Sequence, residues 1–473
     1  MTNAIVVGSG PNGLAAAVAL ARKGVDVTVF EAADEIGGGT RSGELTLPGL
    51  LHDHCAAVHP TGAGSPFFRS LELERHGLEW AWPDLDLAHP LDSGEAGIMR
   101  RSLAGTTEGL GPDGPAWRRL FGPLAASFEE LAEDVLAPVT RFPRSPVTFA
   151  RFGLRALLPA TVVARRWRTE RARALFAGAA AHLIHHLDRP TSSAVGLFHI
   201  AAGHRFGWPV ARGGSRKIAE ALASALREHG GTIETGVHVT SLSQLPTADV
   251  VMLDIAPRAA VALLGDRMPQ NVRRAYGRWR HGPAAFKVDL AVEGAMPWTN
   301  DDCRRAGTVH LGGTLEEIRH SESEVAAGRM PERPFVLLSQ QYLADPGRSA
   351  GNVHPVYAYA HVPQGFRGDA TESVLRQIER FAPGFRERIV HVSARSPREL
   401  ARENPNYVGG DILTGANVPA QVALRPRAAL DPYSTGVPGV YLCSAATPPG
   451  AGVHGMCGYN AAQSALRHLR RRS

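Results

Sequence analysis

Cysteine is scarce in this 473-residue chain: Cys55, Cys303, Cys443 and Cys457 lie far apart and never as C-x-x-C. That spacing argues against a disulfide framework, a dithiol redox pair and a thiolate zinc site, so no metal is expected. Paired carboxylates, H-E-x-x-H and G-x-S-x-G are missing as well, so hydrolase machinery is not in view. No stretch of about eighteen uncharged apolar residues occurs, which excludes a bilayer-crossing helix. The first residues carry neither a basic region nor a small-residue cleavage site, and a cytoplasmic location is expected. Aromatic residues make up 7% and do not alternate with the arginines as a base-stacking platform requires, so nucleic acid is not an expected partner.

What is present is a globular composition, 44% apolar and 20% charged, long enough for two or three domains. The net charge of +6 comes mainly from arginine. It suits an anionic membrane surface, nucleic acid or an acidic substrate, and charge alone does not choose among them.

Ala4 to Val7 reads as a buried parallel strand, Leu14 to Lys23 as an alanine-rich helix closed by Gly24, and Val25 to Phe30 as a second strand. Between strand and helix stands Gly8-Ser9-Gly10-Pro11-Asn12-Gly13, and the second strand ends at Glu31. This is the dinucleotide-binding fingerprint in its proper setting. Gly8 permits the tight reversal, Gly10 lets a pyrophosphate approach the main chain, and Gly13 lets the helix pack on the strand. The helix start offers amide donors, and Glu31 offers a carboxylate to ribose hydroxyls while repelling a 2′-phosphate. FAD and NAD both satisfy these terms.

A second flexible loop, Gly37-Gly38-Gly39-Thr40-Arg41-Ser42, follows shortly after Glu31-Ala32. This stretch resembles the extended dinucleotide-binding and GG motif of the FAD-dependent amine oxidase and phytoene desaturase superfamily. The resemblance implies that Glu31, Ala32, Gly37, Gly38 and Gly39 border FAD. Many members carry arginine directly after the glycine pair; here Gly39 fills that place and Arg41, two residues on, is the candidate for pairing with phosphate. Trp208 to Gly214, an amphipathic helix over Ser215 to His229, and strands at Thr232–Ile233, Val237–Leu242 and Asp249–Leu253 resemble the segment by which the superfamily returns to its FAD domain. There Val239 corresponds to a valine whose backbone meets the adenine. Pro438 to Gly458 resembles the terminal FAD signature, which implies that Gly452, Val453 and His454 face the flavin from a helix start. The likeness spans nearly the whole chain and is nearest to the subgroup named for pyridine nucleotide-disulfide oxidoreductase domain-containing protein 2, with Leu47-Pro48-Gly49 and His52-Asp53-His54-Cys55 in the matching places. A second dinucleotide fingerprint, which a pyridine-nucleotide reductase needs, is not found.

The expected fold is therefore α/β: a glutathione-reductase-like FAD-binding Rossmann domain from residues 1–87, 205–256 and 403–473, with a mixed α+β substrate or cap domain from 88–204 and 257–402. The resemblance implies one FAD and removal of a hydride equivalent from an apolar small-molecule substrate, as in phytoene desaturases, with oxygen or a quinone as electron acceptor. Oxidation at a C–N or C–O bond, or a non-catalytic FAD-binding module, are the alternatives. His52, His54, His59, His199, His204 and His454 are candidate acid–base groups by chemistry, and of these only His454 is a catalytic candidate by position. Arg151 to Leu158 and Arg165 to Arg168 form a basic amphipathic pattern broken by Pro159, so peripheral membrane contact is also an expectation. The basic tail, Arg467, Arg470, Arg471 and Arg472, reads as a helix end complemented by cations.

Overall fold

The computed structural model describes residues 2–470; Arg471 and Arg472 of the basic tail lie outside the described residues. Strand β1 (Asn3–Val7), helix α1 (Pro11–Ala21) and strand β2 (Asp26–Phe30) form the opening unit. β1 is apolar on both faces because helices cover both, the pattern of a central parallel strand. Pro11 sits in the first turn of α1, where its missing N–H costs nothing, and alanines let α1 lie flat on the sheet. Gly24, with φ of 78°, turns the chain back into β2.

Five parallel strands make the first sheet, in the order 440–442, 250–253, β1, β2, 232–234. Ile5 lies between Val251 and Thr28 in this register. This is the doubly wound order, in which the chain departs from β1 in opposite directions and leaves a crevice at the carboxyl ends of the strands. The final helix, Met456–Arg470, packs on α1, closely enough that a Cβ on Gly458 would meet the Asn12 carbonyl oxygen at 1.8 Å.

A second, seven-stranded sheet runs 389–395, 284–293, 353–362, 336–339, 306–311, 85–90, 96–99. It is antiparallel except where 306–311 pairs with 85–90. The helices between Leu103 and Phe206 cover one side of the cavity described below. A buried ion pair ties the two parts together: Arg348 Nη1 donates to Asp53 Oδ2 at 2.6 Å and its Nε donates to Asp345 Oδ2 at 3.0 Å. Asp53 Oδ1 in turn accepts from Ser42 Oγ and from the Ser215 amide.

Three expectations are corrected. The domain limits differ from 1–87 and 257–402, because the strand from Leu85 already belongs to the second sheet. Ala260, Leu264, Tyr276 and Trp279 pack in one cluster with Ile5, Phe30 and Leu442, so residues 257–279 belong with the first. Val237–Leu242 is not a strand: after the Val237 amide donates to the Glu31 carbonyl, the Gln244 side chain captures the Thr240 and Ser241 amides in a capping box. Side-chain capture of backbone donors here displaces a sheet ladder. The terminal helix begins at Met456 rather than at Val453, because Gly452 (φ 138°) and Gly455 (φ 67°) hold conformations that helical residues do not adopt.

Candidate functional site

Both glycine turns open onto one cavity of about 1040 Å³. Gly8, Gly10, Pro11, Asn12, Glu31, Ala32, Gly38, Gly39, Arg41, Val239, Gly452, Val453 and His454 all line it. The amino-terminal and carboxyl-terminal glycine turns thus converge at the crevice where the strand order reverses.

The cradle is built so that side chains are excluded from it. A Cβ on Gly13 would lie 2.0 Å from the Gly8 carbonyl oxygen, and one on Gly10 2.8 Å from Asp254 Oδ2. Gly13 itself does not line the cavity; it allows α1 to meet the turn. Gly37 is likewise set back, and its amide donates to the Ser9 carbonyl at 3.0 Å, fastening the GG loop to the first turn. Glu31 is fixed by the Ser9 amide (2.8 Å), Ser9 Oγ (2.6 Å) and the Ala33 amide (2.9 Å). Oε2 thus accepts two of these, and Oε1, which accepts only from Ala33, keeps capacity for a further donor. The backbone N–H and C=O of Val239 are unpaired among the described residues. These features fit a dinucleotide: a side-chain-free floor, amides at a helix start, a fixed carboxylate and an open backbone pair.

Arg41 borders the cavity, but its Nε donates to the Gly38 carbonyl at 3.1 Å and its Nη2 to the Glu403 carbonyl at 2.6 Å. Two of five guanidinium donors therefore hold the loop, and the others remain for an anion. His454 borders the cavity at the turn before the terminal helix. Its Nδ1 accepts from the Met456 amide at 3.1 Å, capping the terminal helix, and burial lowers its pKa to about 4. Ser65 Oγ donates to its carbonyl at 2.7 Å and fixes the turn from behind.

Asp254, which the sequence reading passed over, lies at the centre of the cradle. It follows the strand 250–253, and its Oδ2 accepts from the Gly13 amide at 2.9 Å. Burial raises its pKa to about 7, against the Gly13 hydrogen bond and with help from the nearby Glu31 charge. An acidic residue directly after an apolar strand was the available signal. Asn406 holds the segment in place, donating to the Asp254 carbonyl at 3.0 Å and accepting from the Ala256 amide at 2.8 Å.

Away from the cradle the cavity wall turns apolar and aromatic, with Phe152, Phe198, Leu337, Tyr357 and Tyr359. Tyr357 donates to the Cys55 carbonyl. Beneath its ring, 4.3 Å from the centroid, lies the Lys287 ammonium, paired with Asp289. Burial brings Lys287 down to about 8, while Asp289 is held below the ordinary carboxylate range because Lys287, His52 and Arg395 outweigh its own burial. Tyr433 and Tyr441 do not line the cavity. Among the described residues no group of three or more His, Cys, Asp or Glu is placed to hold a metal ion, and no helix is long and apolar enough to cross a membrane.

Fold and cradle define a class: two-part proteins in which a Rossmann-type dinucleotide-binding sheet is capped by a mixed sheet. Residues 6–72 match the family model of the NAD(P)-binding Rossmann-like domain. Over 99% of this chain and 94% of the relative, the sequence is 25% identical to pyridine nucleotide-disulfide oxidoreductase domain-containing protein 2 of Rattus norvegicus. An oxidoreductase from Methanosarcina mazei shares the fold with a TM-score of 0.63 at 16% identity, over 98% of this chain and 100% of that one. A cyclohexylamine oxidase from Brevibacterium oxydans does so with a TM-score of 0.57 at 17% identity, over 99% and 100%. The expected α/β architecture, a Rossmann-type domain beside a mixed-sheet domain, is the one observed.

Proposed function

We propose that the chain is an FAD-dependent oxidoreductase that takes a hydride equivalent from an apolar substrate. The observation that carries this is the meeting, in one cavity, of the amino-terminal and carboxyl-terminal glycine turns with an apolar chamber beyond them. Glu31 would hold the ribose, the Gly10 and Gly38 backbones with the start of α1 the pyrophosphate, and the Val239 backbone the adenine. The turn at Gly452 and Val453 would meet the flavin. FAD supplies the two-electron chemistry; the protein binds, orients and excludes water.

The apolar and aromatic chamber wall of Phe152, Phe198, Leu337, Tyr357 and Tyr359 favours carbon–carbon desaturation of an apolar chain over oxidation of an amine. Molecular oxygen or a quinone would reoxidise the cofactor. Photoreduction of the purified flavoprotein followed by exposure to either acceptor tests the proposal: bleaching and recovery of the flavin absorbance are expected. Absence of both steps would reduce the chain to a non-catalytic FAD-binding module.

Val139, Phe152 and Val422 line the chamber. Near Val139 and Phe152 in the chain are the exposed Phe142 (82%) and Leu154 (72%), and the Thr140 hydroxyl donates at 3.4 Å to the carbonyl of the exposed Leu430 (92%). Arg144, Arg151 and Arg155 lie on the same short helix and its approach. An apolar rim set among cations matches an anionic bilayer, from which an apolar substrate would enter without crossing water. Flotation with anionic liposomes is expected, and Phe142→Asp with Leu154→Asp should abolish it; wild-type protein that stays at the bottom would refute the membrane role.

A further inference from the structure

The chamber contains two histidines for which the cofactor cradle has no use. His182 closes the helix Glu170–Ala181, and His199 lies on the helix Ser193–Phe206. Their ring centroids are 5.1 Å apart and nearly perpendicular, and both rings border the cavity. Trp208 packs against each, at 5.7 and 6.1 Å.

Their tautomers follow from what lies behind them. His182 Nε2 is 3.0 Å from Nε2 of His310, which sits on the strand Ala306–Leu311. His310 is fully buried and its Nδ1 has no partner; it is pressed toward Gly178, where a Cβ would lie 2.7 Å from it. A neutral imidazole carries one N–H. Placed on Nδ1 of His310, that proton would be a buried donor without an acceptor; placed on Nε2, it is satisfied by His182. His310 therefore donates, His182 accepts at Nε2, and the proton of His182 resides on Nδ1. The same logic applies to His199, whose Nδ1 is enclosed and without a partner, so that its proton belongs on Nε2, the nitrogen left to the cavity. Burial brings His199 to about 4 and, with neighbouring histidines adding to it, holds His182 and His310 well below the ordinary histidine range. Both rings then act near neutral pH as uncharged donors.

The geometry points to a two-donor recognition site in which His182 Nδ1–H and His199 Nε2–H receive a carbonyl oxygen carried by an otherwise apolar substrate. The word substrate rests on the oxidoreductase reading; the binding chemistry does not. A carbonyl oxygen has two lone pairs for two donors and brings no net charge into an apolar chamber. An ammonium group has no lone pair to offer, and an alkane leaves both donors unpaired.

Calorimetric titration of the oxidised, FAD-loaded protein with a medium-chain methyl ketone, the alkane and the primary alkylammonium ion of equal length tests this. The ketone should bind at least about tenfold more tightly than the other two, the yield of two modest hydrogen bonds. His199→Phe and, separately, His182→Phe should each cut the ketone's preference over the alkane by about threefold, half of the two-bond yield in free energy, with flavin absorbance unchanged. Should one variant fail to fold, the other decides. Equal binding of ketone and alkane, tighter binding of the ammonium ion, or an undiminished ketone preference in a folded variant would overturn the proposal. Ketone preference in a protein that fails the photoreduction cycle would sink the oxidoreductase reading alone; a working cycle without ketone preference would sink only this one.

Discussion

Replacing Asp254 with asparagine should change how stability depends on pH. In the folded chain the Asp254 carboxyl titrates near 7, raised from 3.8 chiefly by burial. Below 3.8 the group is protonated in both states and contributes nothing. Between 3.8 and 7 the unfolded chain releases the proton first, so each pH unit costs the folded state about 1.4 kcal/mol. Above 7 the penalty is complete, on the order of 4 kcal/mol. Asparagine is close in shape, its carbonyl oxygen can still accept from the Gly13 amide, and it does not ionise. Urea denaturation of both proteins, followed from about pH 4.5 to about pH 8, should therefore give curves that diverge progressively, with the variant favoured at the alkaline end. Parallel curves would refute the reasoning and would mean that the carboxylate is already ionised and solvated in the cradle.

Gly13→Ala forces a Cβ to within 2.0 Å of the Gly8 carbonyl oxygen, so the turn must deform; a loss of about 2 kcal/mol or more and of flavin binding is expected, read by thermal melting and visible absorbance. Arg348→Met leaves Asp53 and Asp345 buried without their cation and should cost roughly 3–5 kcal/mol in denaturant titrations. Adding Asp53→Asn to that variant should restore part of the loss, because the uncompensated charge, rather than the lost contact, dominates it.

The opening strand, turn, helix and strand were legible because each obeys a local rule that tertiary packing reinforces: Gly24 ends α1 and Glu31 closes β2, although α1 starts at Pro11, three residues before the expected Leu14. The terminal turn was legible in place but not in detail. Its positive-φ glycines delay the helix to Met456, where the His454 side chain caps it. Val237–Leu242 has the alternation of a strand, yet Gln244 takes the amides that a ladder would need. Asp254 offered only the weak signal of an acid after an apolar strand, because nothing in its neighbourhood tells that Gly13, far away in sequence, donates to it. The histidine pair is hidden for the same reason: His182, His199 and His310 come from two helices and a strand whose meeting is decided by packing across the cavity.

The central claim, that turns from both ends of the chain hold one flavin dinucleotide, is tested most directly by titrating flavin-free protein with FAD and following visible absorbance and flavin fluorescence. Saturation at a single equivalent per chain, abolished by Gly13→Ala, is the predicted result. A folded, colourless protein that leaves FAD free in solution would contradict it.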